Sequence, residues 1–106
     1  MEFSPVCDLD DLWEGEMEQY VVQGQKVLLV HAPGGEVRAF NPRCPHQDQS
    51  LADGFLEDCI LVCAAHRWEF DVLTGEGVNP TGVALTRYPV KVEDGVVHVA
   101  LGEGAG

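Results

Sequence analysis

Two short pairs of side chains stand out as metal ligands: Cys44-Pro45-His46 and Cys63-Ala64-Ala65-His66, separated by residues 47 to 62. Each pair offers one sulfur and one nitrogen. A gap of one or two residues lets both side chains of a loop turn to one centre, and the longer gap lets two loops reach it from opposite sides. Tetrahedral Zn²⁺ accepts two thiolates and two imidazoles, but zinc loops usually pair like with like, Cys-x2-4-Cys and His-x3-5-His. A two-iron, two-sulfide cluster with one iron on two cysteines and the other on two histidines instead requires each loop to supply one ligand to each iron. Cys44 with Cys63, and His46 with His66, meet that demand. A zinc-stabilised interaction module stays open as the alternative.

The remaining cysteines and histidines read differently. Cys59 lies four residues before Cys63 in the apolar run Cys59-Ile60-Leu61-Val62-Cys63. On one strand the two would share a face about 13 Å apart, too far for a disulfide, so Cys59 is expected to be a buried apolar residue. Cys7, beside Val6, is read the same way. His31 and His98 have no cysteine neighbour and are expected to be non-ligands. Trp68 and Phe70, just beyond His66, either belong to the core or shield the metal site from water.

These loops need a frame, and the chain has room for one domain, residues 1–106, with the metal-binding part at about 42–82. Short β-type runs recur between turn signals: Glu16 to Val22, Lys26 to His31, then Glu36 to Phe40 after Ala32-Pro33-Gly34-Gly35, which together read as a meander. Cys59 to Cys63 and Arg67 to Asp71 follow. Tyr88 to Glu93 and Val96 to Ala100 flank Asp94-Gly95, a two-residue hairpin signature. Only Asp8 to Trp13 suggests a helix, of one or two turns. The expected fold is all-β, an antiparallel sandwich or barrel, since parallel units need crossover helices that the pattern lacks. From Phe40 to Ile60 strand pattern is weak and Pro, Gly and Asp are frequent, so something must order that stretch.

Charge excludes several functions. Six Lys and Arg stand against 18 Asp and Glu, a formal net charge of −12. That field repels phosphate backbones and anionic lipids, which disfavours nucleic-acid and membrane-surface roles, and it attracts basic partner surfaces. No apolar run approaches the ~20 residues of a membrane span, and the acidic start is unlike a signal peptide, so a cytoplasmic protein is expected. No Ser-His-Asp set or phosphate-binding glycine loop suggests bond chemistry on a substrate.

The whole pattern resembles the Rieske-type ferredoxins, small electron carriers of bacterial oxygenase systems. The resemblance runs from the first strand through both ligand pairs to the final hairpin. It implies one 2Fe-2S cluster in a small subdomain on a larger antiparallel β base, with Cys44 and Cys63 on the inner iron and His46 and His66 on the outer iron near the tip. Cys44-Pro45-His46-Gln47, Cys63-Ala64-Ala65-His66-Arg67-Trp68-Glu69-Phe70 and Gly77-Val78-Asn79-Pro80 are most similar to the ferredoxin subunit of four-component toluene and alkene monooxygenases. Asn79-Pro80 is similar to the family's third, proline-bearing loop. The implied partners are an NADH-dependent flavin/iron-sulfur reductase and a diiron hydroxylase, with the carrier itself a monomer and not an enzyme. A ring-hydroxylating dioxygenase ferredoxin or a nitrite reductase small subunit would share the redox site.

Departures from respiratory and photosynthetic Rieske proteins carry an expectation too. Those proteins have a loop-bridging disulfide, where this chain has Gln49 and Ala65, and hydroxyl donors to the cluster sulfurs, where it has Trp68 and Phe70. Fewer donors lower the potential, towards the bottom of the Rieske range of roughly −150 to +300 mV. With neutral imidazoles the oxidised site carries no net charge, so one added electron is tolerated in an acidic protein. Arg43 and Arg67 adjoin ligands, while residues 1 to 18 hold seven acids and no base. The two arginines are expected to orient docking.

Overall fold

The computed structural model describes residues 3–42, 51, 54–63, 67–79 and 82–101. The strands are β1 (Ser4–Asp8), β2 (Met17–Val22), β3 (Gln25–His31), β4 (Val37–Phe40), β5 (Phe55–Glu57), β6 (Ile60–Val62), β7 (Glu69–Asp71), β8 (Gly77–Asn79), β9 (Arg87–Tyr88), β10 (Val90–Glu93) and β11 (Val96–Val99). Among the described residues they form three antiparallel sheets, ordered β1-β11-β10, β2-β3-β4-β9 and β5-β6-β7-β8. The all-β expectation holds, and the helical expectation reduces to a 3-10 turn at Leu9–Asp11.

The second sheet is central because its strand β3 is apolar on both sides. Successive side chains of a strand face opposite ways, so Val27, Leu29, Val37 and Ala39 point to one core with Val97, Val99, Leu12 and Tyr88. Leu28, Val30 and Phe40 point to the other, with Leu61, Phe70, Val72 and Leu85. The first sheet therefore covers one face and the third sheet the other. Burial on both faces explains why Val27 to Val30 reads as an unbroken apolar run rather than an alternation.

Turn chemistry sets the register. Gln23-Gly24 and Asp94-Gly95 both take positive φ (51° and 80°, 54° and 75°), the requirement of a two-residue turn whose twist matches its strands. The meander β2-β3-β4 and the C-terminal hairpin follow the sequence reading.

Three local expectations need correction. Tyr88 to Glu93 is not one strand: Tyr88 pairs with Ala39 in the central sheet, whereas Val90 pairs with Val99 in the first. Pro89, which has no N–H to give a ladder, stands at the switch. The run Cys59 to Cys63 is a strand only at Ile60–Val62, with Cys59 in the preceding turn, and Arg67 (φ 55°) and Trp68 precede β7 rather than belong to it. Strand β5, inside the irregular stretch from Phe40 to Ile60, and strand β8 leave no trace in the sequence pattern. At three residues each, such strands are too short to show a period.

Candidate metal centre

Register brings the ends of the third sheet into one row. Phe55 pairs with Val62, Val62 with Glu69, and Glu69 with Asn79. Phe55 follows the first ligand-bearing segment, Val62 immediately precedes Cys63, Glu69 follows the second ligand pair, and Asn79 precedes Pro80. All three connections that the sequence marked therefore join the sheet at the same end.

Backbone hydrogen bonds close each connection at its root. Leu51 N donates to Pro42 O (2.6 Å), Cys63 N to Trp68 O (2.8 Å), and Gly77 N to Val83 O (2.7 Å). Leu51, Cys63 and Phe70 are fully buried in one core, and Trp68 and Val83 pack half-buried against it. Buried apolar side chains thus line the roots of these connections. Arg67, just before the second closure, takes φ 55°, a left-handed conformation uncommon outside glycine.

Of the four expected ligands, Cys63 lies within the described residues, at the buried root of its loop. Cys44, His46 and His66 lie outside them, as does Arg43. Among the described residues no three His, Cys, Asp or Glu side chains gather into a metal-binding group. His31 Nδ1 lies 2.7 Å from Leu12 O and His98 Nδ1 3.0 Å from Val96 O. Cys59 is half-buried against the same core, its Sγ 4.0 Å from Pro33 O, and Cys7 packs half-buried against the other core. Burial pushes the Cys7 thiol up, aided by Asp11, Asp8 and Glu18, while its contact with Tyr20 works the other way. The Tyr20 hydroxyl, which donates to Glu18, is pushed well above its ordinary range, by burial first. Neither residue shares a core with Cys63.

The donor chemistry fits an iron-sulfur cluster. A fully buried cysteine at the root of a closed loop would offer a sulfur ligand in a water-poor setting, the environment in which packing and hydrogen bonding around sulfur tune a cluster. Trp68, half-buried, and Phe70, fully buried, both pack in this core, the first of the two roles the sequence allowed them.

The model of the Rieske [2Fe-2S] domain matches residues 2–89. The chain belongs to the Rieske family. It is 47% identical over 100 residues to the ferredoxin component of the alkene monooxygenase system of Xanthobacter autotrophicus, covering 93% of this chain and 81% of that protein. Two solved structures are similar in fold. The ferredoxin of carbazole 1,9a-dioxygenase from Nocardioides aromaticivorans superposes with a TM-score of 0.84 at 28% identity, over 94% of this chain and 98% of that one. A chain from the complex of reduced oxygenase and oxidized ferredoxin in carbazole 1,9a-dioxygenase gives 0.82 at 28% identity, over 92% of each chain. This Rieske protein is accordingly a ferredoxin with one 2Fe-2S cluster, an electron carrier rather than an enzyme. Its described residues include no helix long and apolar enough to cross a membrane.

Proposed function

We propose that this Rieske ferredoxin carries single electrons from an NADH-dependent flavin/iron-sulfur reductase to the diiron hydroxylase of a bacterial alkene or aromatic monooxygenase. In this reading Cys44 and Cys63 hold one iron, His46 and His66 the other, and residues 42–82 form the cluster-binding subdomain. The carrying observation is the single row that joins all three marked connections to one end of the third sheet, beside a buried apolar core containing Cys63. When bound, the cluster accepts and releases one electron. The chain's own residues do the rest: Leu61, Phe70 and Trp68 keep water from its buried side, and the backbone closures hold the loop roots. The alkene monooxygenase relative favours the monooxygenase setting. The carbazole dioxygenase ferredoxin favours a second reading, service to a ring-hydroxylating dioxygenase through the same site.

A shuttle must leave one partner before it meets the next, so we take the protein to be a cytoplasmic monomer with a small, charge-steered docking face. Arg67 is exposed beside the second ligand pair and makes no ion pair among the described residues, whereas Arg38 pairs with Glu36 (2.9 Å) and Lys91 with Glu93 (3.2 Å). Arg67 gives the loop end a sign opposite to that of the acidic body. The test is stopped-flow mixing of reduced protein with resting hydroxylase across a salt series. The wild type is expected to pass its electron, and Arg67→Glu to slow the reaction about threefold to tenfold at low salt with a flatter salt slope. A hydroxylase that stays oxidised overturns the function, and an unchanged slope removes Arg67 from the docking face.

A further inference from the structure

Trp13 keeps 69% of its surface in solvent, although indoles are usually well buried. Looseness does not explain this. Its Nε1 donates to Asp10 O (2.8 Å), its backbone N to Glu16 Oε1 (2.8 Å), and Glu16 N returns a bond to Trp13 O (2.9 Å). The loop is tied to its neighbours as well: Gly15 N donates to His31 O (2.6 Å), and Gly34 N donates to Glu14 Oε1 (2.8 Å). Leu12, 1% exposed, anchors it in the core below. The ring's one polar group is already satisfied within the chain, so an apolar face is held towards water in a fixed orientation. Such a side chain has little freedom left to lose when it is covered, which is what makes aromatic residues effective interface anchors.

Location separates this surface from the cluster loops. The Trp13 loop is bonded to His31, where β3 ends, and to Gly34, in the turn before β4. The first ligand-bearing connection leaves from the opposite end of β4, beyond Phe40 and Pro42. A partner seated on Trp13 would sit at the opposite end of β4 from the root of that connection.

Charge identifies the partner. Asp10, Asp11, Glu14 and Glu16 surround the indole in sequence and are all exposed, and the chain carries −12 overall. A second copy, a nucleic acid or an anionic lipid surface would meet like charge. A basic protein face with an apolar recess would meet a complementary rim and a ready anchor. We infer that Trp13 and its acidic surround form a second docking surface, distinct from the cluster end, for a basic protein component of the electron-transfer system.

The choice of partners for the test rests on the electron-carrier reading above. Dissociation constants of the cluster-loaded protein for purified hydroxylase and for purified reductase are measured by calorimetry, for the wild type, Trp13→Ala and Asp11→Lys. Asp11 makes none of the bonds that hold the loop, so its variant leaves the indole in place should Trp13→Ala misfold. Expected is at least a tenfold weakening of one of the two complexes by Trp13→Ala. Asp11→Lys should weaken the same complex and flatten its salt dependence, with iron content and reduction potential unchanged in both variants. Affinities for both partners within twofold of wild type overturn the inference. So does a wild-type dimer that Trp13→Ala dissociates, since the indole would then be covered by a second copy. Failure of the wild type to reduce the hydroxylase would instead count against the function, because these affinities are read without electron transfer.

Discussion

The central and third sheets lie face to face across one core, yet they are stabilised differently. The central sheet has strands of up to seven residues, apolar side chains on both faces at β3, and a two-residue turn whose backbone suits its strands. The third sheet has four strands of three residues. It buries Leu61 and Phe70 on its inner side while Phe55 and Val78 stay exposed. Burial alone is enough for the first. The second has shorter strands, and single backbone bonds close the roots of the connections at one of its ends. We therefore predict that the base folds without metal and that the cap is completed by it.

Phe40 tests that contrast most severely, because it is fully buried in the core that the two sheets share. Phe40→Ala should cost about 3–5 kcal/mol in chemical denaturation, with both sheets lost together. Two separate transitions would show that the shared core does not couple them. Gly75 comes next: it takes φ 83°, and a Cβ there would sit 3.0 Å from Arg87 Cδ and 3.2 Å from Phe40 Cε1. Gly75→Ala should cost about 1–2 kcal/mol from backbone conformation alone, with more if buried Phe40 must shift. A neutral result would mean that the β7–β8 turn adapts freely.

Removing the iron should separate the sheets by a smaller margin. Amides of β6 and β7 are expected to exchange at least tenfold faster, about 1.4 kcal/mol of local stability, while those of Val27 to Val30 hold their protection. Equal loss in both would merge base and cap into one metal-dependent unit. The smallest expected effect lies on the face of the central sheet turned away from the metal. Cys7 and Tyr20 have raised pKa values in the folded state, so the stability linked to their protons is present below their ordinary values and lost as pH climbs from about 9. Melting temperature should fall above that pH, and less steeply in Tyr20→Phe. An unchanged slope would clear Tyr20 of the effect.

How much of this was legible in the sequence follows the same division. The base could be read because long strands and Asp-Gly or Gly-Gly turns leave a periodic trace, as at Val27 to Val30 and Asp94-Gly95. The family was readable because four donors at mixed spacing are chemically specific, and the family match agrees; of those four donors Cys63 lies within the described residues. The cap was readable only in part: the runs that contain β6 and β7 show in the sequence, and β5 and β8 do not. Strand β5 is three residues set by its pairing with β6, the split at Pro89 depends on which sheet lies nearby, and the left-handed Arg67 has no marker in residue type. The clasping bonds at Leu51, Cys63 and Gly77 are backbone contacts to distant partners, on which side-chain pattern is silent. The exposure of Trp13 was equally hidden, since an apolar residue beside acids is as consistent with burial as with display.

The most direct measurement is iron and acid-labile sulfide analysis of the purified protein, with EPR before and after reduction by dithionite. Two irons and two sulfides per chain, an EPR-silent oxidised state and a reduced signal with nitrogen hyperfine coupling are the expected result, with the coupling lost when His46 and His66 are replaced by cysteine. A single zinc, or a reduced cluster signal with no nitrogen coupling, would contradict the split of sulfur and imidazole ligands between two irons on which the account rests.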